Sequence, residues 1–423
     1  MPLNAQEQYL LELINRGRLD PAAEAERYGI DLNASLGPGT ITTQAKQVFA
    51  PNALLENAAI GHSQWMLATD VFSHVGEGGS TLGTRATAAT YAWNLLGENI
   101  AVWGTSATLD TTAAIEAHHR GLFLSAGHRT NLMNGNLSEI GLAQETGDFA
   151  FSGGPALNAS MLTELFGNQS GGKYLTGVAY RDSDGDGYYS VGEGRASTEF
   201  RFGTTSALTD TPGGYALRVV AAGDVLVSGR AGDTDFSVSV DFSDGNVKLD
   251  VVNGKRFESS ADVKLGTGIN KVELLGNADL NAAGNAEKNR IVGNIGSNLL
   301  EGGDGRDRIF GGVGDDSIMG GRGNDRLQGD AGNDVLVGGG GADSFRFGNG
   351  SGMDVIDDFN KGQGDRLALN DDLWAEQLST SEVVSKFASV TAQGVVFDFG
   401  DGDMLTLSDV QSTAGLADLI VFW

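Results

Sequence analysis

The sequence has 423 residues, enough for two to four domains, and it contains no cysteine. A disulfide framework is therefore excluded, so each small domain must be held together by a hydrophobic core or by metal. The formal net charge of −27 argues against a nucleic-acid backbone as a partner. No apolar run approaches the roughly 18 residues needed to cross a bilayer, so we expect no membrane-spanning helix.

The N-terminal stretch is predicted to form a helix rather than a secretory signal peptide. The sequence MPLNAQEQYLLELINRGR lacks a basic start followed by an apolar run. Asn4 and Glu7 have the spacing of a capping box, which marks the start of a helix. The apolar periodicity predicts two further helices, at about residues 53–70 and 111–123.

All five histidines lie within the first 168 residues, so this part of the chain is where chemistry is expected. His62 has helical spacing from Ala58 and Trp65, which favours a position in the core or at the edge of a cleft. His118 and His119 are adjacent and therefore point to different sides of a helix. At least one of these two is expected to be solvated.

Six short stretches within about the first 150 residues carry a resemblance to a known family. In chain order they read LLELINRGRLDP, AAIGHSQWM, DVFSH, GENIA, SAGHRTNLM and EIGLA. They resemble the bacterial branch of the CAP superfamily (cysteine-rich secretory, antigen 5 and pathogenesis-related proteins). The resemblance implies an α-β-α sandwich with a central cleft lined by two histidines and one or two glutamates. The matching positions here are His74, Glu98 and His128. A further family glutamate, after a tryptophan, is unmatched, because Ser125 and Leu122 stand at those two positions.

The predicted cleft leaves several functions open. Two imidazoles and a carboxylate with an open coordination position suit zinc, so His74 and His128 are candidate zinc ligands. With Glu98 they are also candidate catalytic residues, acting as general acid and base around a bound water. The domain would then be a binding module for a lipid, glycan or metal, an extracellular hydrolase or peptidase, or cargo of a structural matrix or surface-layer protein. Alternatively, the three side chains only tie helices together across the cleft. The missing glutamate favours binding over catalysis.

After a linker at residues 168–172, short alternating runs predict an antiparallel β-sandwich over residues 169–265. Within it, DSDGDGYYSVGE at residues 182–193 has the spacing of an EF-hand calcium loop. Its flanks are strand-like, which resembles the calcium loop of Ig-like, Cna-B or carboxypeptidase-regulatory sandwiches and implies a structural site rather than a sensor. The predicted oxygen ligands are Asp182, Asp184, Asp186, the carbonyl of Tyr188, Ser190 and Glu193.

Residues 302–346 form five consecutive nine-residue units: GGDGRDRIF, GGVGDDSIM, GGRGNDRLQ, GDAGNDVLV and GGGGADSFR. Each unit has aspartate at its sixth position and a large apolar residue, which should face inward from a short strand, at its eighth. Two units would complete one coil, so the carboxylates of every second unit would stack about 4.8 Å apart and repel by roughly 1 kcal/mol in water. Calcium, which takes six to eight oxygen ligands, reverses this repulsion.

This pattern resembles the RTX (repeats-in-toxin) family of secreted proteins, which implies a parallel calcium-binding β-roll over residues 266–347. Asn289 and Asn298 replace aspartate in the preceding units, which are predicted to cap the open end of the roll. The predicted calcium ligands are the turn residues and aspartates Gly302, Gly303, Gly305, Asp307, Gly311, Gly312, Gly314, Asp316, Gly320, Gly321, Gly323, Asp325, Gly329, Asp330, Gly332, Asp334, Gly338, Gly339, Gly341 and Asp343.

Residues 348–423 resemble the C-terminal flank and uncleaved secretion signal of type I secretion substrates, although the apolar end could also form an edge strand. The sequence thus predicts four parts: a CAP-like domain at 1–168, a β-sandwich at 169–265, an RTX roll at 266–347 and an export tail at 348–423. We expect a protein secreted by the type I machinery that binds calcium outside the cell or at its surface. Its expected partners are a lipid, glycan or cell-surface ligand, and not nucleic acid.

Overall fold

A computed structural model of the chain describes residues 3–423. None of the helices in this range is long and apolar enough to cross a bilayer. The four-part division stays a prediction, because contacts group the chain into two compact units whose segments alternate in the middle of the sequence. The first unit contains the chain up to Val225 with residues 229–233 and 242–254, and the second contains residues 226–228, 234–241 and 255–423.

Residues 3–168 fold as a four-stranded sheet with helices on both faces. The helices are α1 (Ala5–Leu19), α2 (Pro21–Arg27), α3 (Ala53–Thr69), α4 (Leu82–Ala88), α5 (Thr111–Leu124) and α6 (Ala126–Leu132), with single 3₁₀ turns at Glu77–Gly79 and Phe151–Gly153. The strands are β1 (Ala50–Pro51), β2 (Leu95–Thr105), β3 (Glu139–Ala150) and β4 (Ala156–Asn168), in the sheet order β1-β3-β4-β2.

Alternation along the central strands produces the two helical layers. On β4, Leu162 packs in the core shared with α1 and α5, whereas Leu165 packs in the core shared with α3 and α4. On β3, Gly141 lets α3 approach closely, because a Cβ there would lie 2.2 Å from the backbone nitrogen of Glu56. This arrangement is the predicted α-β-α sandwich.

The predicted start of α1 is confirmed. The Asn4 side chain accepts hydrogen bonds from the backbone nitrogens of Gln6 and Glu7, each at 3.0 Å. The Glu7 side chain accepts one in return from the Asn4 nitrogen at 2.9 Å, which completes the capping box.

The middle of the chain consists of short strands. They are β5 (Lys173–Tyr180), β6 (Glu199–Phe202), β7 (Thr205–Leu208), β8 (Gly214–Val219), β9 (Asp224–Ala231), β10 (Thr234–Asp241), β11 (Val247–Val252), β12 (Arg256–Ser259) and β13 (Val263–Leu265). Pairs β5–β8 and β6–β7 are antiparallel as expected, but β5 pairs with β11 in parallel, so the all-antiparallel prediction is wrong at this edge. A parallel neighbour needs a long crossover, and the chain between Tyr180 and Val247 supplies it.

A buried ion group joins β11 to α1 inside the first unit. The Lys248 ammonium lies 2.6 Å from the Glu12 carboxylate and also contacts Asp250 on its own strand. Burial alone would lower the pKa of Lys248, but the carboxylates of Asp250 and Glu12 outweigh it and raise that pKa above its ordinary value. Lys248 therefore stays charged and holds α1 against the strand.

The second unit is built around a parallel β-roll. Its further strands are β14 (Lys271–Leu274), β15 (Asn281–Ala283), β16 (Arg290–Val292), β17 (Leu299–Gly305), β18 (Arg308–Val313), β19 (Ser317–Gly323), β20 (Arg326–Ala331), β21 (Val335–Gly340), β22 (Ser344–Phe347), β23 (Met353–Ile356) and β24 (Arg366–Leu369). It ends with a 3₁₀ turn at Asp371–Leu373, α7 (Thr380–Phe387), β25 (Ala388–Val390), β26 (Val395–Gly400), β27 (Asp403–Leu407), a 3₁₀ turn at Ala417–Leu419 and β28 (Ile420–Phe422).

The roll has about six coils, and its strands form two parallel stacks. One stack runs β12-β14-β16-β18-β20-β22-β24-β28, and the other runs β13-β15-β17-β19-β21-β23-β27. The predicted inward residues are all buried between the stacks, at 0–2% exposure: Ile309, Ile318, Leu327, Leu336 and Phe345. The predicted period of two units per coil is confirmed, because Ile309 pairs with Leu327 and Ile318 with Leu336.

Both ends of the roll extend beyond the repeats. The prediction that the Asn289 and Asn298 units cap the open end is wrong, since β14 and β12 continue one stack and β13 continues the other. At the other end, the edge-strand prediction is confirmed, because β28 pairs in parallel with β24.

Candidate calcium ladder, calcium loop and His/Glu cleft

The repeat aspartates form two ladders along the roll, and one oxygen of each carboxylate has a structural partner. The backbone nitrogen of Asp307 donates to Asp325 Oδ1 at 2.7 Å, and that of Asp325 donates to Asp343 Oδ1 at 2.8 Å. On the other edge, the nitrogen of Asp316 donates to Asp334 Oδ1 at 2.8 Å. These bonds orient each carboxylate along the roll axis.

The second oxygen of every repeat aspartate has no partner. The five residues are only 0–2% exposed, so water does not reach them freely. In each of them Oδ2 is buried and accepts no hydrogen bond. Burial raises the pKa of Asp316 to about 7 and that of the other four to about 6. A buried, unpaired carboxylate oxygen is unfavourable unless a cation meets it.

Carbonyl oxygens gather in the same place. A Cβ on Gly302 would lie 2.4 Å from the Gly320 carbonyl oxygen and 2.6 Å from Asp307 Oδ2. On the other edge, a Cβ on Gly311 would lie 2.2 Å from Asp316 Oδ2 and 2.4 Å from a neighbouring carbonyl oxygen. The glycines thus leave small spaces lined by carboxylate and carbonyl oxygens, the donor set that calcium prefers.

Sequence reasoning missed the continuation of both ladders. The backbone nitrogen of Asp334 donates to Asp354 Oδ1 at 3.1 Å, and that of Asp343 donates to Asp365 Oδ1 at 2.9 Å. These aspartates follow after 20 and 22 residues instead of 18, so the fixed period hides them. Asp354 lies inside the short strand β23 and Asp365 directly precedes β24, and the apolar residues of these strands were the available signal. By contrast, the predicted ligand Asp330 accepts a hydrogen bond from the Gln328 side chain.

The EF-hand-like loop brings three of its predicted ligands together. Asp182, Asp184 and Glu193 each place an oxygen within 4.8 Å of the others. Of the predicted carboxylate ligands, Asp186 is outside this group, and the predicted ligands Tyr188 and Ser190 lie on the same loop. Their backbone nitrogens donate to Asp184, Asp186 and Glu193, respectively, and these bonds shape the turn. Strand β5 leads into the loop, as expected for a structural rather than a sensor site.

In the cleft, two of the three predicted residues contact each other. His74 lies in the loop after α3. Asp70, which caps the end of that helix, has a left-handed backbone conformation. Its Nδ1 lies 2.8 Å from Glu98 Oε1; the His74 side chain is 57% exposed and that of Glu98 only 3%. Arg85 on α4 forms an ion pair with the other Glu98 oxygen and donates to the His74 carbonyl at 3.1 Å. No sequence signal pointed to Arg85.

His128, on α6, lies near His74, and no hydrogen bond joins its side chain to His74 or Glu98 in the described residues. Its Nδ1 is buried without a partner, and burial, together with the charge of nearby His74, lowers its pKa. His62 is buried, as expected for a core or cleft-edge position, and it stacks on Trp65 with both ring nitrogens buried and unpartnered. Burial and the charge of Arg85 lower the pKa of His62.

A chain of polar side chains supports the cleft from below, and sequence reasoning missed it. Asn131 donates to Asn99 Oδ1 at 2.9 Å, and Asn99 donates to Glu164 Oε2 at 2.9 Å. Glu164 is fully buried, and burial raises its pKa to about 8. Asn99 and Asn131 lie inside two of the family-like stretches, so their position was a signal, but Glu164 had none.

Two predictions for this domain need correction. Within residues 3–423, only the loop at residues 182–193 brings ligand atoms of three histidine, aspartate or glutamate side chains within 4.8 Å of one another, so His74, Glu98 and His128 do not support a zinc site. His118 and His119 are both buried, at 3% and 1% exposure, and neither is solvated. His118 lies 3.0 Å from the Ser160 hydroxyl and His119 lies 3.0 Å from Glu24, because both faces of α5 are covered.

Family models match both halves of the chain. The cysteine-rich secretory protein family (CAP) matches residues 11–150, and the RTX calcium-binding nonapeptide repeat matches residues 284–318 and 319–353. The chain carries a CAP domain and RTX calcium-binding repeats. No curated protein matches the sequence.

Three solved structures are similar to parts of the chain. An extracellular protein containing an SCP domain from Bacillus anthracis is 21% identical, with 40% of this chain and 45% of that chain covered and a TM-score of 0.25. An outer surface protein from Borrelia burgdorferi is 18% identical over 30% of this chain and 80% of its own, with a TM-score of 0.22. A subunit of the mannuronan C5-epimerase from Azotobacter vinelandii is 22% identical over 37% of this chain and 80% of its own, with a TM-score of 0.16.

Proposed function

We propose that this CAP–RTX protein is exported by a type I secretion machinery with its roll unfolded, and that calcium outside the cell then folds the roll. The observation that carries the proposal is the set of five buried Oδ2 oxygens without partners. Cytosolic calcium is scarce, whereas calcium sites of extracellular modules bind at about 10⁻⁴–10⁻³ M. Because binding free energy becomes folding free energy, the roll would stay unfolded inside the cell and fold outside it.

The loop at residues 182–193 is proposed as an additional, structural calcium site. Its three gathered carboxylates would be bridged by one ion, which would fix the turn after β5. Because Glu193 is buried and accepts two backbone hydrogen bonds, from Ser183 and Ser190, the loop is already shaped in part. Replacement of Asp184 by Asn should remove one bound calcium per chain without unfolding the roll.

Calcium titration of the full-length protein tests the main proposal. Circular dichroism should report a gain of strand signal as calcium is added to chelator-treated protein, with a midpoint in the range given above. A reporter strain with and without its type I exporter tests the route. Full strand signal in excess chelator, or retention of the protein in the cytosol of an exporting strain, would contradict the proposal.

For the CAP domain we propose ligand binding in the cleft around His74, Glu98 and His128. Arg85 forms an ion pair with the Glu98 carboxylate and Asn131 donates to the Glu98 carbonyl, so the cleft offers an ordered polar surface to a ligand. A lipid headgroup or glycan hydroxyl would meet the exposed His74 ring. Glycan and lipid arrays probed with wild type and with His128→Ala test this, with Arg120→Ala as the control. Equal patterns for wild type and His128→Ala would contradict it.

One contact favours hydrolysis as a second candidate. A histidine held by a carboxylate through Nδ1 is the base–orienter pair of general-base catalysis, and His74 with Glu98 has that geometry at 2.8 Å. Hydrolysis of a protein or ester substrate that is lost in both His74→Ala and Glu98→Gln would establish it. If neither a protein nor an ester substrate is hydrolysed while the arrays show binding, the cleft binds a ligand without catalysing hydrolysis.

A further inference from the structure

One outer face of the roll carries a row of positive charges. In one stack, six consecutive strands each begin with an outward-facing residue. These six residues pair in register from Lys271 to Arg366. In chain order the six residues are Lys271, Arg290, Arg308, Arg326, Ser344 and Arg366. Five of them are cationic, and we call these five the cationic column. Ser344 interrupts the column. At about 4.8 Å per strand the column is roughly 24 Å long.

The fold does not require this column. Like charges directly opposite each other on neighbouring strands are destabilising, by roughly 1 kcal/mol per pair at this spacing in water. Among residues 3–423, no carboxylate forms an ion pair with Lys271, Arg308 or Arg366, and the same holds for Arg290 and Arg326. Arg308, Arg326 and Arg366 are exposed.

The equivalent position on the opposite face is uncharged. There the register runs through residues 281, 299, 317, 335 and 355, which are asparagine, leucine, serine and two valines. Both faces are made by the same repeat and the same coil, in a chain whose net charge is −27. The difference between the faces therefore comes from the choice of side chains at one position and not from the needs of the roll.

We propose that the cationic column binds a linear polyuronate, a polysaccharide with one carboxylate per sugar. A guanidinium group binds a carboxylate through two parallel hydrogen bonds, which suits arginine at this position. Along a linear polyuronate the carboxylates follow at about the length of one sugar ring, comparable with the strand spacing, so one chain meets several arginines at once. Phe310, under the Arg290 guanidinium at 5.0 Å, adds an aromatic surface beside the column.

Nucleic acid fits the face less well. Duplex DNA carries one charge per about 1.7 Å of axis, much denser than one cation per strand. The rest of this acidic chain would repel such a dense polyanion more strongly than a polyuronate. The polyuronate is therefore the occupant that the column matches in both spacing and charge density.

The test uses calcium-loaded full-length protein and oligogalacturonates longer than the column, with neutral dextran and a DNA oligonucleotide as comparison polymers. Calorimetry should detect binding to oligogalacturonate that weakens with added salt, and the double variant Arg308→Gln with Arg326→Gln should lose roughly tenfold or more in affinity. The matched control replaces Arg306 and Arg322 by Gln, which removes the same charge from exposed positions of the roll outside the column. Circular dichroism in calcium checks that each variant keeps its roll.

A gain-of-affinity variant protects the test against a folding defect. Ser344→Arg fills the gap in the column and should bind oligogalacturonate more tightly than wild type. Equal affinity of the wild type, the column variant and Ser344→Arg would overturn the proposal. So would an equal loss in the Arg306 and Arg322 control, or a preference for DNA or dextran over oligogalacturonate.

Discussion

Removal of calcium should unfold the roll while leaving the CAP domain folded. Burial raises the pKa of the five repeat aspartates from an ordinary 3.8 to about 6 or 7. Two units of pKa correspond to about 3 kcal/mol for one carboxylate, so the ionised repeat aspartates together destabilise the metal-free roll by an amount comparable with the stability of a domain. Domains are typically stable by only about 5–15 kcal/mol, so the metal-free roll should not stay folded at neutral pH.

The sign of the pH dependence follows from the raised pKa values. A carboxyl group whose pKa is higher in the folded state favours folding below its ordinary pKa, and that contribution is lost as the pH rises through the folded value. In chelator, the metal-free roll should therefore regain order as the pH falls from about 7 towards 4. With calcium the trend is opposite, because protons compete with the metal for the same oxygens.

Hydrogen exchange of the full-length protein measures this directly. The amides of Asp307, Asp316 and Asp325 donate to carboxylates of the next coil, so they report on the ladder itself. They should be protected in calcium and exchange rapidly in chelator at neutral pH, while the amides of α3 stay protected in both. Equal protection of the ladder amides in chelator and in calcium at neutral pH would refute the reasoning.

The variant Asp325→Asn separates charge from geometry. It keeps an acceptor for the Asp307 amide but removes one buried charge. The free energy of unfolding of the metal-free roll should rise by about 3 kcal/mol at neutral pH. The variant should also need more calcium than the wild type to saturate its roll. An unchanged calcium midpoint would show that the carboxylate is not a ligand.

Three further predictions concern contacts within each unit. Because burial raises the pKa of Glu164 to about 8, the stability of the CAP domain should fall by about 5 kcal/mol as the pH rises from about 4.5 to 8. Glu164→Gln should abolish that slope in thermal unfolding, and an unchanged slope would exclude Glu164 as its source. Lys248→Ala leaves the carboxylates of Glu12 and Asp250 buried without their cation, so chemical denaturation should show a loss of about 3–5 kcal/mol, whereas a loss below 1 kcal/mol would contradict this. Gly323 has φ +148 and a Cβ there would lie 1.4 Å from the Gly305 carbonyl oxygen, so Gly323→Ala should prevent calcium-induced strand formation, while Gly340→Ala, with open space around it, should not.

The sequence determined the parts of this protein in which a local pattern repeats. Glycine, aspartate and an apolar residue in phase every nine positions dictate a coil, because turn, ligand and core residue must recur together. The helices of the CAP domain also followed from local signals, namely a capping box at Asn4 and an apolar stripe on α3. Such features need only neighbours in the chain, so no tertiary information was required.

The tertiary structure decided which residues meet across long stretches of chain. Arg85 reaches Glu98, and Glu164 supports Asn99, because separate elements pack side by side, and no local pattern records those contacts. Likewise, the ladder aspartates Asp354 and Asp365 fall out of phase, and only strand register shows that they continue it. The sequence alone therefore determined that this chain forms a roll of RTX calcium-binding repeats, and the packing decided how its cleft is assembled and which face of the roll carries its charges.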